Sequence, residues 1–277
     1  MRPRTLDDAL AALDADSKIL AGGQSLVPML NMRLVRPARL VDINALPGLA
    51  GVRGRSGGGL AIGALTRHTD LLEAPLVREQ APLLAAATAH VGHRAIRNRG
   101  TVGGSLAHAD PAAELPAALL ALDASILIAG RSGQRRLALD DFVVGALTTA
   151  LGPDEILIGI ELPDARRAGW GFAEVARRPG DFALAGVAAV LHGGRDRCEA
   201  ARLVAFGAHE RPVRLRSAEA AVTGGRLSTD LAARAAVQAP ADCRPPDDVH
   251  ASAEYRAHLV RVLTERVVHD AVARLAG

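Results

Sequence analysis

A chain of 277 residues, 49% of them hydrophobic, is long for one core and comfortable for two domains, and with only 2% aromatics its interior must be aliphatic. The net charge of +3 comes almost wholly from arginines spread along the chain, with Lys18 as the only lysine and no basic block interleaved with aromatics, so a nucleic-acid surface is excluded. No apolar run reaches the roughly 18 residues of a membrane span, and Met1 to Asp8 carry no signal-type apolar stretch, which predicts a cytoplasmic protein.

Residues 5–13 predict a short helix capped by Thr5, with Asp7 and Asp8 in its first turn. Ser17 to Ala21 predict a strand that ends at Gly22-Gly23, and Ser25 is placed to cap a helix over Leu26 to Met32. A strand, a glycine turn and a helix start make a phosphate site, because free amides and the helix dipole both favour an anion. The same pattern also serves as an ordinary strand-to-helix turn. Arg39 to Ile43 predict a second strand, and residues 48–65 a hairpin turned at Ser56 to Gly59. A Gly-x-Gly-x-x-Gly fingerprint is absent from the chain, against an ordinary dinucleotide fold.

Residues 66–91 carry a helical pattern that Pro75 and Pro82 divide into two or three pieces. Then follows the densest glycine segment, Arg97 to Ala117, in which Gly100, Gly103 and Gly104 are interleaved with Thr101 and Ser105. Such a stretch packs poorly as regular structure but offers bare backbone to a phosphate or a flat ring. Asp110-Pro111 predicts a helix start with Asp110 either as its cap or as a ligand contact. Glu114, one turn on, either points back to the glycines or serves as a first-turn acid.

A small apolar helix, a strand at Ser125 to Ala129, a turn at Gly130 to Gln134 and a strand at Glu155 to Pro163 close this half. A boundary is expected at Pro163 to Gly169. Beyond it Trp170–Ala176, Phe182–Leu191 and Ala201–Gly207 predict a small antiparallel sheet. Helices at Ser217–Val222, Thr229–Val237 and Ala253–Leu275 follow, the last covering one sheet face. Cys198 and Cys243 lie far apart with no Cys-x-x-Cys, so the chain holds no iron–sulfur cluster by itself and no structural zinc. His90 and His93 could share a helix face but lack an acidic or cysteine partner at ligand spacing.

Four segments taken together resemble a known family: Ala21-Gly22-Gly23-Gln24-Ser25-Leu26, Ile96 to Ser105, Ala109 to Pro116, and Arg177 to Ala185. In this order and at this length they resemble the FAD-binding medium subunit of the molybdenum hydroxylases, the family of aerobic carbon monoxide dehydrogenase and xanthine dehydrogenase. The resemblance implies an α+β chain with a two-part FAD-binding domain of vanillyl-alcohol-oxidase type over residues 1–165, with parts of about 1–50 and 51–165. A C-terminal antiparallel-sheet-plus-helices domain of the carbon monoxide dehydrogenase flavoprotein type would span 169–277. It further implies a hetero-oligomer, a dimer of heterotrimers, with a molybdopterin-binding large subunit and a small subunit holding two iron–sulfur clusters.

Carried over by position, Ala21, Gly22, Gly23, Gln24, Ser25 and Leu26, with Thr101, Val102, Gly103, Gly104 and Ser105, would hold the FAD pyrophosphate and nearby flavin. Asp110 and Glu114 join this set; the family has an acidic residue at the Glu114 position, commonly Asp. Phe182 stands where relatives often place an aromatic beside the isoalloxazine, though a core Phe in a strand fits equally. Glu174 stands where relatives often carry lysine, so a cation near the flavin would come from Arg177 or elsewhere. The implied activity moves electrons from the iron–sulfur clusters through FAD to an external acceptor, with no metal ligand or catalytic base in this chain. A self-contained FAD oxidoreductase of the same fold and a flavin-free assembly subunit are the alternatives.

Overall fold

The computed structural model describes residues 1–194 and 196–276. The first helix, α1 (Leu6–Ala11), begins where the Thr5 hydroxyl accepts the Asp8 N–H at 3.1 Å. Strand β1 (Ser17–Leu20), helix α2 (Leu26–Asn31) and strand β2 (Arg39–Asp42) form a βαβ crossover, with β1 and β2 parallel and Ser17 opposite Arg39. Their core is Ala9, Leu10, Leu13, Val41, Ile43, Leu46 and Leu49, which meets Leu65, Ala129 and Ile156 of the next unit. Although α2 reads Leu-Val-Pro-Met-Leu-Asn, none of its residues is buried.

The next unit is a five-stranded sheet in the order β3 (Val52–Gly54), β4 (Leu60–Gly63), β9 (Ile156–Leu162), β5 (Ser125–Gly130), β6 (Gly133–Ala138), with every pair antiparallel. Between β4 and β5 run α3 (His68–Glu73), α4 (Pro75–Gln80) and α5 (Pro82–His90), then α6 (Arg94–Arg97), α7 (Val102–His108) and α8 (Glu114–Ala121). Pro75 and Pro82 each open a new helix, because a first-turn residue needs no N–H. The sheet finishes with β5 (Ser125–Gly130) and β6 (Gly133–Ala138). After α9 (Leu139–Phe142) and the small ribbon of β7 (Val143–Gly145) and β8 (Thr148–Thr149), β9 (Ile156–Leu162) inserts between β4 and β5.

Three sequence expectations fail here. Residues 102–108, expected as open loop, form a helix, since Thr101 caps it and Gly103 lies against Ala64. Asp110 is not a helix cap: its carboxylate accepts the Ala112 N–H at 2.8 Å in a turn, and α8 starts only at Glu114, capped by Ala113. The turn expected at Gly130 to Gln134 is shorter than that: Gly133–Ala138 are an edge strand whose Gln134, Arg135 and Arg136 face water, so it lacks the apolar alternation that marks a strand.

The C-terminal part is an antiparallel sheet of β10 (Gly169–Ala176), β11 (Ala183–Gly193), β12 (Cys198–Phe206) and β13 (Val213–Arg214). It is followed by α10 (Arg216–Val222), α11 (Thr229–Gln238), a 3-10 turn (Ala239–Asp242) and α12 (Ala253–Ala276). Side chains alternate across a strand, so Val187, Ala189 and Leu191 enter the core under α10 to α12, while Ala188 and Val190 enter the core shared with α8. One helix face was expected as cover; both sheet faces are covered. That is why α8 is buried on every side and, after Glu114, apolar all round.

Candidate cofactor-binding site

The first glycine segment leaves β1 at Leu20 and enters α2 at Leu26. Among the described residues, no carbonyl or side-chain oxygen accepts a hydrogen bond from the backbone N–H groups of Gly22, Gly23, Gln24, Ser25 and Leu26; the first such bond of the helix is Val27 N–H to the Gly23 carbonyl at 3.0 Å. The first N–H groups of a helix have no intrahelical partner, and here the preceding turn adds to them, so five donors in succession form a row open to an acceptor. Ser25 takes the cap position but makes no side-chain cap bond, which leaves its hydroxyl available as well. Gly23 holds the turn at φ +74°, a conformation that side chains disfavour.

The second segment behaves oppositely. Val102 N–H donates to the Thr66 carbonyl at 3.1 Å, Gly103 N–H to Ala64 at 2.8 Å, Gly104 N–H to the Thr101 hydroxyl at 3.1 Å, and Ser105 N–H to the Thr101 carbonyl at 3.0 Å. A Cβ on Gly103 would stand 2.6 Å from the Ala64 Cβ, so this glycine allows α7 to close on the turn after β4. Thr101, Val102 and Gly103 are buried; Gly104 and Ser105 form the partly open surface of the segment. The two segments touch: a Cβ on Gly22 would collide with the Arg99 carbonyl.

Asn44 and Arg67, which no local pattern singles out in the sequence, tie these segments together. Asn44 Nδ2 donates to the carbonyls of Leu20 at 3.3 Å and Ala21 at 2.8 Å, and to Asp42 Oδ1 at 2.7 Å. Arg67 donates to Asn44 Oδ1 at 2.7 Å and to the Arg99 carbonyl. Burial pushes the Asp42 carboxyl up, but hydrogen bonds from Asn44 and the charge of Arg2 outweigh it and hold it below the usual range. His68 lies under the second segment with neither ring nitrogen hydrogen-bonded, and burial lowers its pKa to about 4, so it packs there as a neutral ring.

Glu114 and Phe182 are placed differently from one another. Glu114 is buried at the start of α8, and burial first, then the charges of Glu174 and Asp110, raise its pKa to about 7. Glu174 reaches in from β10; one oxygen pairs with His90 Nδ1 at 3.1 Å and the other is buried without a partner. The hydrogen bond to Glu174 raises the His90 pKa, while Arg177 is exposed. This acid partner comes from the distant half of the chain, where sequence spacing could not reveal it. Phe182 is not a core residue of a strand: it precedes β11 and is 69% exposed, with its ring available for stacking. No group of three His, Cys, Asp or Glu among the described residues could hold a metal ion, and no helix there is long and apolar enough to cross a membrane.

The fold and the donor row define a class of protein, a mixed helix-and-sheet chain with a run of unpaired backbone amides where a strand turns into a helix. Comparisons with known proteins place it further. Residues 1–165 match the family described as "FAD binding domain in molybdopterin dehydrogenase", and residues 170–271 match "CO dehydrogenase flavoprotein C-terminal domain". The 6-hydroxypseudooxynicotine dehydrogenase complex subunit alpha of Paenarthrobacter nicotinovorans is 42% identical over 94% of this chain and 88% of that one. The nicotine 6-hydroxylase medium subunit of the same organism is 40% identical over 98% and 96%. Carbon monoxide dehydrogenase from Hydrogenophaga pseudoflava, solved without the Mo-pyranopterin moiety of its cofactor, superposes with a TM-score of 0.95 at 34% identity, over 99% and 96% of the two chains. The chain belongs to the FAD-binding medium subunits of the molybdenum hydroxylase family. It is an FAD-dependent oxidoreductase subunit of a molybdenum-containing dehydrogenase.

Proposed function

We propose that the row of five free amides from Gly22 to Leu26 receives the FAD pyrophosphate, and this row is the observation that carries the reading. Consecutive N–H groups at a turn into a helix form a concave donor surface that fits phosphate oxygens. In the same reading Ala21 fixes the entry of the chain, and the Gln24 side chain, which donates to the Gly22 carbonyl at 3.2 Å, stiffens the turn. Thr101 to Ser105 supply the opposite wall, mainly as packing: their amides face inward, and Gly104 and the Ser105 hydroxyl are the parts turned to a ligand. Asp110, in the turn before α8, and Glu114, at its start, line the approach, and Phe182 covers a flat ring from the C-terminal side.

When bound, FAD supplies the redox chemistry, taking electrons from the iron–sulfur clusters of a small partner subunit and delivering them to an external acceptor. This chain binds and orients; it holds no nucleophile or metal in the reading. The remaining expectations complete it: a two-part FAD domain of vanillyl-alcohol-oxidase type over 1–165, a C-terminal domain over 169–277, and a cytoplasmic dimer of heterotrimers with the molybdopterin and iron–sulfur subunits. Purified chain mixed with FAD is expected to retain it through gel filtration with a visible flavin spectrum and no covalent link. A chain that stays colourless in that experiment sinks the proposal.

A further inference from the structure

We infer that Arg67 is a positioning residue that couples the two glycine segments into one cofactor cradle, acting through Asn44. The inference rests on the FAD reading above, but its geometry stands apart from the ligand. The first segment has few attachments of its own: α2 buries no side chain, and the amides from Gly22 to Leu26 make no internal hydrogen bond. Its course is fixed instead from behind, where the Asn44 amide grips the last two carbonyls before the glycines, those of Leu20 and Ala21. Asn44 can do this in one orientation only, because its Nδ2 also donates to Asp42 at 2.7 Å and its Oδ1 accepts from Arg67 at 2.7 Å. The opposite amide flip would face the Arg67 guanidinium with a second donor.

The guanidinium has a fixed fork of donors, and the second arm takes the Arg99 carbonyl, on the chain that leads into the second segment. That same carbonyl is the surface on which Gly22 rests. Beside it, His68 N–H holds the Gly100 carbonyl at 3.1 Å and Arg67 bridges Thr101, so the base of the second segment is anchored to α3. One side chain therefore sets both the direction of the donor row and its distance from the facing wall. Lysine, with a single ammonium and no fork, is a poor substitute at such a site.

The test is a double-mutant cycle with Arg67→Met and Asn44→Ala in the full chain, reading FAD affinity by flavin fluorescence and apo-protein melting separately. Each single variant is expected to weaken FAD by about tenfold or more, the scale of one charge-assisted hydrogen bond, while apo melting changes little. The double variant is expected to be no worse than the weaker single, since both residues act through one strut. Arg67→Lys should fall between wild type and Arg67→Met. In the FAD-free protein, hydrogen exchange at Val27 and Ile43, which bond to the Gly23 and Leu20 carbonyls, should quicken in Arg67→Met. Wild-type affinity in Arg67→Met, losses that multiply in the double variant, or losses that simply track melting would each overturn the inference. A wild-type chain that takes up no FAD overturns the cofactor reading instead, and the exchange data then decide the strut by themselves.

Discussion

The two glycine segments look alike in sequence and do different things. Gly22 and Gly23 belong to a turn whose following amides are all free, whereas Gly103 and Gly104 sit inside a capped helix whose amides are all committed. The first needs glycine for its turn at Gly23 and for the close approach of Arg99; the second needs it so that α7 can settle on Ala64. Glycine richness alone therefore does not mark a ligand loop. What separates the two segments is the fate of their N–H groups, open to an acceptor in the first and committed to packing in the second.

This contrast can be broken most sharply at Gly103. Its methyl analogue, Gly103→Ala, meets Ala64 at 2.6 Å and is expected to cost about 3 kcal/mol by overpacking, seen as a melting point lower by roughly 6–12 °C. Molecules that remain folded should still bind FAD nearly as wild type. A variant that melts normally but loses FAD would reverse the assignment of the two segments.

The wall between the domains gives the next effect. The Glu114 carboxyl has a pKa of about 7 in the folded chain against 4.5 when free. Stability from its neutral form is therefore complete below the free value and is lost as pH rises through about 7. The His90–Glu174 pair points the same way, because the raised His90 pKa means that its contribution fades as the imidazole loses its proton. Glu114→Gln should be more stable than wild type by about 2 kcal/mol at alkaline pH and nearly equal to it in acid. Each tenfold change in a protonation equilibrium is worth about 1.4 kcal/mol, and relaxation and water around the buried carboxylate recover part of the total. Denaturant titrations across pH check this; a constant difference between the two proteins at all pH values would refute it.

Smaller effects separate the two helix starts. Thr101→Ala removes the cap bond to Gly104 and should destabilise by about 1 kcal/mol, measured by urea unfolding of the FAD-free chain. Ser25→Ala removes no cap bond, so its stability should stay within about 0.5 kcal/mol of wild type while FAD affinity falls several-fold. Equal stability losses at the two positions would erase the distinction drawn between them.

Much of this was legible along the chain. Periodicity and punctuation locate most helices and strands, from the Thr5 cap to the breaks at Pro75 and Pro82. The order of the glycine and Asp-Pro segments is enough to point to the family, because each is a local pattern of a few adjacent residues. Edge strand β6 was not legible, since a strand that buries nothing has no apolar rhythm. Nor was α7, where capping and a close neighbour outweigh the low helix propensity of two glycines.

The cofactor site divides along the same line. Which residues are small, polar and flexible is written in the sequence, and so is the candidate set from Ala21 to Phe182. Which amides are free is a tertiary matter, because Ala64 and Thr66 take those of the second segment and nothing among the described residues takes those of the first. The Arg67–Asn44 strut and the His90–Glu174 pair join residues 23 and 84 positions apart. Hydrogen bonds of that span depend on packing of whole elements, and no local pattern encodes them.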